Sequence, residues 1–191
     1  FLNDATSFGV GVAKMGEAKG SKKVIAITLG TGFGSTFINN GIPQVNSPDV
    51  PKDGCLWDKP FKVGVADDYF STRWFLKTYK ELSGEEVKGV KEISQAKNEY
   101  AMKTFEKFSR NLAEFMNPVI KKYQPDLIVL GGNISNANKL FLPKVKEHLK
   151  KEGLDITFGI SSLMEEAAII GSSRLFELEF WNEVKNDLPD L

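Results

Sequence analysis

Residues 23–29, Lys-Val-Ile-Ala-Ile-Thr-Leu, form an apolar run of strand length without clean alternation, which predicts a strand buried on both faces. The run ends in Gly30-Thr31-Gly32-Phe33-Gly34-Ser35, and the β-prone Thr36-Phe37-Ile38 then leads into Asn39-Asn40-Gly41. Asn-Gly between apolar segments is a strong hairpin signal, so the glycine turn joins one strand to another. Pro43, Pro48, Pro51 and Pro60 make residues 43–60 mostly irregular. From Asp67 onward Tyr69, Phe70, Trp74, Tyr79 and Leu82 follow a helical pattern closed by Gly84. The clearest helix spans residues 98–123, where Ala101, Phe105, Phe108, Leu112, Phe115, Val119 and Tyr123 recur in steps of four and three. Pro118 predicts a bend near its end. Residues 126–130 read as a second buried strand ending in Gly131-Gly132, followed by a lysine-rich helix over 139–151 and a third strand over 155–160. A last helix starts after Ser161 or Ser162, with Glu165 and Glu166 suited to the dipole of its first turn. Strands alternating with long helices predict an α/β fold with part of its sheet parallel.

Composition narrows the function. At 191 residues, with no internal linker or repeat, the chain reads as one domain. Its 25 basic residues balance 25 acidic ones, which excludes a nucleic-acid binder that works through a basic excess over the whole domain. A single cysteine, Cys55, excludes an internal disulfide, and a single histidine, His148, leaves few ligands for a transition metal. No apolar run approaches the roughly 20 residues of a membrane-spanning helix.

The candidate chemistry lies at two strand-to-glycine junctions, Gly30-Thr31-Gly32-Phe33-Gly34 and Gly131-Gly132. Glycine lets backbone approach a ligand closely, and successive amides can cradle phosphate oxygens. The first junction is neither a dinucleotide fingerprint nor a P-loop. Ser35 replaces the third glycine, the turn feeds a hairpin where the fingerprint needs a helix, and no Walker lysine follows. It reads equally as a tight turn without a ligand. Asp4, before the small-residue segment Ala5, Gly9, Gly11, Ala13 and Gly16, reads first as a helix N-cap. Its functional alternative is a carboxylate base that takes a proton from a hydroxyl.

Together, Asn3-Asp4-Ala5, the segment Leu29 to Gly34, Asn40-Gly41, the stretch Pro125 to Ser135 and the stretch Glu166 to Ser173 resemble the ROK family of sugar kinases and sugar-responsive repressors. The resemblance implies a ribonuclease H-like (actin-like ATPase) lobe, an α/β unit whose mixed central sheet carries a β-hairpin and flanking helices. It implies that residues 1–191 are a single C-terminal lobe of a two-lobed, cytoplasmic, glucokinase- or hexokinase-like enzyme. Asp4 would be the general base and Asn3 a sugar ligand. Gly30, Thr31 and Gly32 would hold the β- and γ-phosphates of ATP, delivered with Mg²⁺. Gly131 and Gly132 would form the adenosine loop, and Gly171 a turn closing on the nucleotide. The implied partners are a sugar substrate, the missing N-terminal lobe and a second copy in a homodimer, with no nucleic acid and no membrane.

The chain departs from the family pattern in three places. It has no Asp-x-Gly-Gly-Thr phosphate loop, no Glu-x-Gly-His sugar motif after Asn40-Gly41, and no cysteine-rich zinc loop around Gly54-Cys55-Leu56. No structural zinc is therefore expected, and Cys55 reads as inert. The alternative within the family is a sugar-binding, non-catalytic domain of a transcriptional repressor. A Rossmann-like nucleotide binder is the reading from outside it, and that requires a helix directly after Gly34. Trp57 and Asp58, in the loop where relatives shape the sugar pocket, are candidate substrate contacts. Trp74 reads as core or dimer interface, Arg73 as a charged fork on the same segment, and His148 as a surface residue of the lysine-rich helix. The acidic run Glu177, Glu179, Glu183, Asp187 and Asp190 reads as a docking tail.

Overall fold

A computed structural model describes residues 2–163 and 165–186. Its elements in chain order are α1 (Asp4–Met15), β1 (Lys23–Leu29), β2 (Phe33–Asn39), β3 (Ile42–Gln44), β4 (Pro60–Phe61), β5 (Gly64–Val65), α2 (Ala66–Tyr69), α3 (Thr72–Ser83) and α4 (Val90–Ala96). They continue with α5 (Glu99–Tyr123), β6 (Leu127–Gly131), α6 (Asn138–Lys151), β7 (Thr157–Ile160), α7 (Glu166–Ser173) and α8 (Leu178–Val184). Five strands form one sheet in the order β3-β2-β1-β6-β7. β1, β2 and β3 pair antiparallel, whereas β1, β6 and β7 are parallel, so the sheet is mixed.

The registers explain both turns. Leu29 pairs with Phe33, leaving only Gly30, Thr31 and Gly32 to reverse the chain. Asn39 pairs with Ile42, leaving Asn40 and Gly41 at φ 50° and 79°, the two-residue turn whose twist matches a hairpin. A strand therefore follows the first glycine turn, which removes the Rossmann-like alternative.

Alternate residues of the central strands feed two cores, as the unbroken apolar runs foretold. Ile25, Ile27, Leu29, Ile128 and Leu130 join a core built with α3, α5 and α6. Val24, Ala26 and Val129 join a second core with Phe8, Val10 and Val12 of α1, Ala167 of α7 and Phe180 of α8. α5 is capped by Asn98, whose side chain accepts from the Ala101 N–H at 2.8 Å, and it runs through Pro118 to Tyr123. Its last residue ties back to the hairpin. The Tyr123 hydroxyl donates to the Ile38 carbonyl at 2.6 Å, and burial pushes the phenol well above its ordinary pKa. No helix among the described residues is long and apolar enough to cross a membrane.

Several expectations need correction. Asn3, not Asp4, caps α1: its side chain accepts from the Thr6 N–H at 2.8 Å, and Asp4 is the first helical residue. The helical segment from Asp67 to Leu82 is two helices, because the chain leaves helical geometry at Phe70 and Ser71. α4 was not anticipated, since only Val90 and Ile93 of its seven residues are buried and no periodic stripe forms. Trp74, expected in the core or at a dimer interface, does pack against the aromatic core, within 5.3 Å of Phe75 and 5.9 Å of Phe108 between ring centroids. Glu177 is engaged by Lys14 at 3.0 Å and Arg174 at 3.2 Å, so it fastens α8 to α1 rather than forming a free tail. Asp187 and Asp190 lie outside the described residues.

Candidate functional site

Because β1, β6 and β7 are parallel, their carboxyl ends share one edge of the sheet, and there the chain leaves each strand into a loop. Ligands of open α/β sheets bind at this edge, where backbone amides and helix N-termini converge. A cleft of about 960 Å³ opens here. Its floor is Thr28, Gly30, Thr31, Gly32, Phe33 and Gly34 after β1, Gly132 and Asn133 after β6, and Ser162 and Leu163 after β7. Its walls are the N-terminal ends of α1 (Asp4, Ala5, Phe8) and α7 (Glu165, Glu166, Ala168), together with Trp57 and Asp67.

Local sequence explains how these groups arrive. Asn3 starts α1 by satisfying one of its free N–H groups, which sets Asp4 at the helix mouth with its side chain exposed to the cleft. Gly132 has φ 81°, and a Cβ on it would overlap the backbone of Leu29, so only glycine lets the chain cross the end of β1. At the third loop Glu17 accepts from the Ser162 N–H at 2.8 Å and from its hydroxyl at 2.6 Å. Burial raises the Glu17 carboxyl, but the bonds from Ser162 outweigh it and hold the group below its ordinary range.

Of the residues singled out in the sequence, Asp4, Gly30, Thr31, Gly32, Trp57 and Gly132 line this cleft. Four others do not. The Asn3 side chain is committed to the helix cap. Asp58 pairs with Lys59 at 2.9 Å outside the cleft. Gly131 is buried beneath the Phe8 ring, which a Cβ there would overlap. Gly171 is buried where α7 crosses α1, and a Cβ on it would overlap the carbonyl oxygen of Ser7. His148 is half-buried on α6, away from the cleft beside Arg110 and Lys151. Cys55 is half-buried, and burial together with Asp53 and Asp58 raises its thiol, so it stays protonated and unreactive near neutral pH.

Asp67 is the residue that sequence reasoning missed. Its sequence context marks only the start of a helix, and no spacing rule links it to a turn 34 residues away. In sequence Glu165 and Glu166 show only as partners of a helix dipole and Asn133 only as part of a motif, and the fold brings all three to the cleft.

Comparison with known proteins follows the same lines. Residues 1–46 and 62–178 match the ROK family. An N-acetyl-D-glucosamine kinase of Haemophilus influenzae is 30% identical over 167 residues, covering 74% of this chain and 54% of that protein. The chain thus spans about half the length of that kinase. The crystal structure of a ROK family glucokinase from Streptomyces griseus in complex with glucose and AMPPNP superposes with a TM-score of 0.74 at 20% identity, covering 91% of this chain and 66% of that one. A ROK family transcriptional regulator, a homologue of the E. coli MLC protein, superposes with a TM-score of 0.71 at 15% identity, covering 97% and 54%. The fold is therefore that of the actin-like ATPases, as the resemblance implied.

Proposed function

The chain belongs to the ROK family, and from that membership we propose that it is one lobe of a two-lobed kinase that transfers the γ-phosphoryl group of ATP to a hydroxyl of a hexose or N-acetylhexosamine. The observation that carries this reading is the convergence of the Gly30–Gly32 turn, the Gly132 crossing and the Asp4 carboxylate on one cleft at the carboxyl edge of the sheet.

In this reading the amides of the glycine turn donate to phosphate oxygens, and the cleft aligns the sugar hydroxyl with the γ-phosphorus. Asp4 accepts the hydroxyl proton as the new P–O bond forms and ADP leaves. Mg²⁺, when bound, neutralises charge on the phosphates. Glu165 and Glu166, at the start of α7 on the cleft wall, would supply carboxylate oxygens of the kind that ion accepts. Trp57, half exposed on the cleft wall, offers a flat apolar face to a sugar ring.

The test is a Mg²⁺-ATP assay of the complete two-lobed protein against glucose, N-acetylglucosamine and N-acetylmannosamine. Phosphorylation of one of these is expected. Asp4→Asn should lower kcat by roughly 10²- to 10⁴-fold while leaving sugar affinity nearly unchanged, because the proton acceptor is lost and the hydrogen-bonding shape is kept. Full turnover by that variant would remove Asp4 from the role. The likeness to the transcriptional regulator supports a second reading, a sugar-binding regulatory domain. A rise in melting temperature with sugar, but no ATP consumption, would favour it.

A further inference from the structure

The Gly30–Phe33 turn is gripped by residues of α2 and α3. The Gly30 carbonyl accepts from the Thr72 N–H at 2.8 Å and from the Thr72 hydroxyl at 2.9 Å. The Thr31 carbonyl accepts from the Arg73 guanidinium at 3.2 Å. The Gly32 carbonyl accepts from the Gly30 N–H at 3.1 Å, and the Phe33 N–H donates to Asp67 Oδ1 at 2.7 Å. Asp67 Oδ2 pairs with Arg73 at 2.5 Å, so one carboxylate and one guanidinium close a ring around the turn. All three carbonyls of the turn are occupied. The amides of Thr31 and Gly32 have no protein acceptor among the described residues.

The residue types fit this arrangement. A Cβ on Gly32 would come within 3.1 Å of Asp67 Oδ1, tighter than ordinary packing, so the glycine lets the carboxylate seat. The Asp67 side chain is mostly buried and its carboxylate lines the cleft, where an unpaired negative charge would repel a triphosphate. Arg73 neutralises it. Asp67 also ties in the Trp57 loop, since its own N–H donates to the Trp57 carbonyl at 3.0 Å.

We propose that Asp67 and Arg73 are positioning residues for nucleotide binding. Asp67 fixes the turn so that the Thr31 and Gly32 amides face the phosphates, and Arg73 cancels the charge that this fixing brings into the cleft. The inference rests on the kinase reading of the same cleft and adds to it the pair that keeps the phosphate loop in a binding geometry.

The pair has a signature that general destabilisation lacks. Asp67→Asn keeps an acceptor for the Phe33 N–H and loses only the ion pair, whereas Asp67→Ala loses both. Arg73→Ala leaves an uncompensated carboxylate beside the triphosphate. AMPPNP titration of the protein by calorimetry should therefore show roughly tenfold or greater weakening for Asp67→Ala and Arg73→Ala. The double variant Asp67→Asn/Arg73→Ala should bind AMPPNP more tightly than Arg73→Ala alone. In turnover assays the ATP KM should rise while the sugar KM stays constant. Wild-type affinity in both alanine variants overturns the positioning role and leaves the kinase reading intact. So does a double variant weaker than Arg73→Ala. Absence of AMPPNP binding by the wild type overturns the kinase reading and this proposal with it.

Discussion

The two faces of the sheet are packed in opposite ways. On the α3–α5–α6 face, Phe33, Phe61, Phe70, Phe75, Phe108 and Phe115 meet one another in tilted and edge-on pairs with centroids 4.7–6.0 Å apart. On the α1–α7 face the helices cross through glycine. A Cβ on Gly11 would overlap the Ala167 carbonyl, and one on Gly171 would overlap that of Ser7. The first face gains stability from large buried apolar area. The second buries less per residue but brings two backbones together, and so places the first turns of both helices on the cleft. The first face carries most of the fold's apolar burial and, through α2 and α3, the grip on the glycine turn, whereas the second sets the two helix mouths on the cleft.

Substitutions on each face test this division. The largest stability loss is expected at the aromatic face, where Phe108→Ala should cost about 3–5 kcal/mol by urea denaturation. The nucleotide affinity of the folded fraction should stay near that of the wild type. A comparable loss of affinity would mean that the two faces are coupled.

Gly171→Ala should cost less stability, about 1–3 kcal/mol from overpacking. Because α7 must shift against α1, sugar and nucleotide affinity should fall more than the stability change accounts for. Unchanged affinity would contradict the view that this crossing sets the cleft.

The helix caps offer a matched pair. Asn3 and Asn98 make the same bond at 2.8 Å, one on each face. Each Asn→Ala change should cost about 1 kcal/mol in thermal unfolding, but only Asn3→Ala should lower turnover, by freeing the residue before Asp4.

The smallest effect is expected at Glu17. Its folded carboxyl lies below the ordinary value of 4.5, so the bonds to Ser162 contribute stability above that pH and lose it as pH falls through the folded value. Glu17→Gln should flatten the acid limb of the stability profile, and an unchanged limb would show that the Ser162 loop is not tied this way.

Local physics alone accounts for much of what was legible. The apolar run 23–29, the Asn40-Gly41 turn and the stripe from Ala101 to Tyr123 each encode their element within a few residues, since strand burial, turn dihedrals and helix periodicity depend on near neighbours. Local signals marked Asp4, the Gly30–Gly32 turn and Gly132 as candidates, but by themselves they read Asp4 first as a cap and the turn equally as ligand-free, and only the family resemblance gave them roles. The break at Phe70 and Ser71 was not legible. There the first N–H of α3 is taken by the Gly30 carbonyl, a bond between residues 42 positions apart.

The purposes of Gly131 and Gly171 stayed hidden likewise. A glycine in a sequence cannot say whether a ligand, an aromatic ring or a crossing helix comes close to it. Asp67 shows the limit most clearly. Its type and neighbours mark it as an ordinary first-turn acid, and only folding brings it within 2.7 Å of the Phe33 amide. The sequence by itself determined the central strands, the hairpin and the long helix, because propensity and periodicity act over a few residues. The tertiary structure decided which glycines face the cleft and what holds the phosphate turn, because those contacts join segments that meet only when three parallel strands end on one edge.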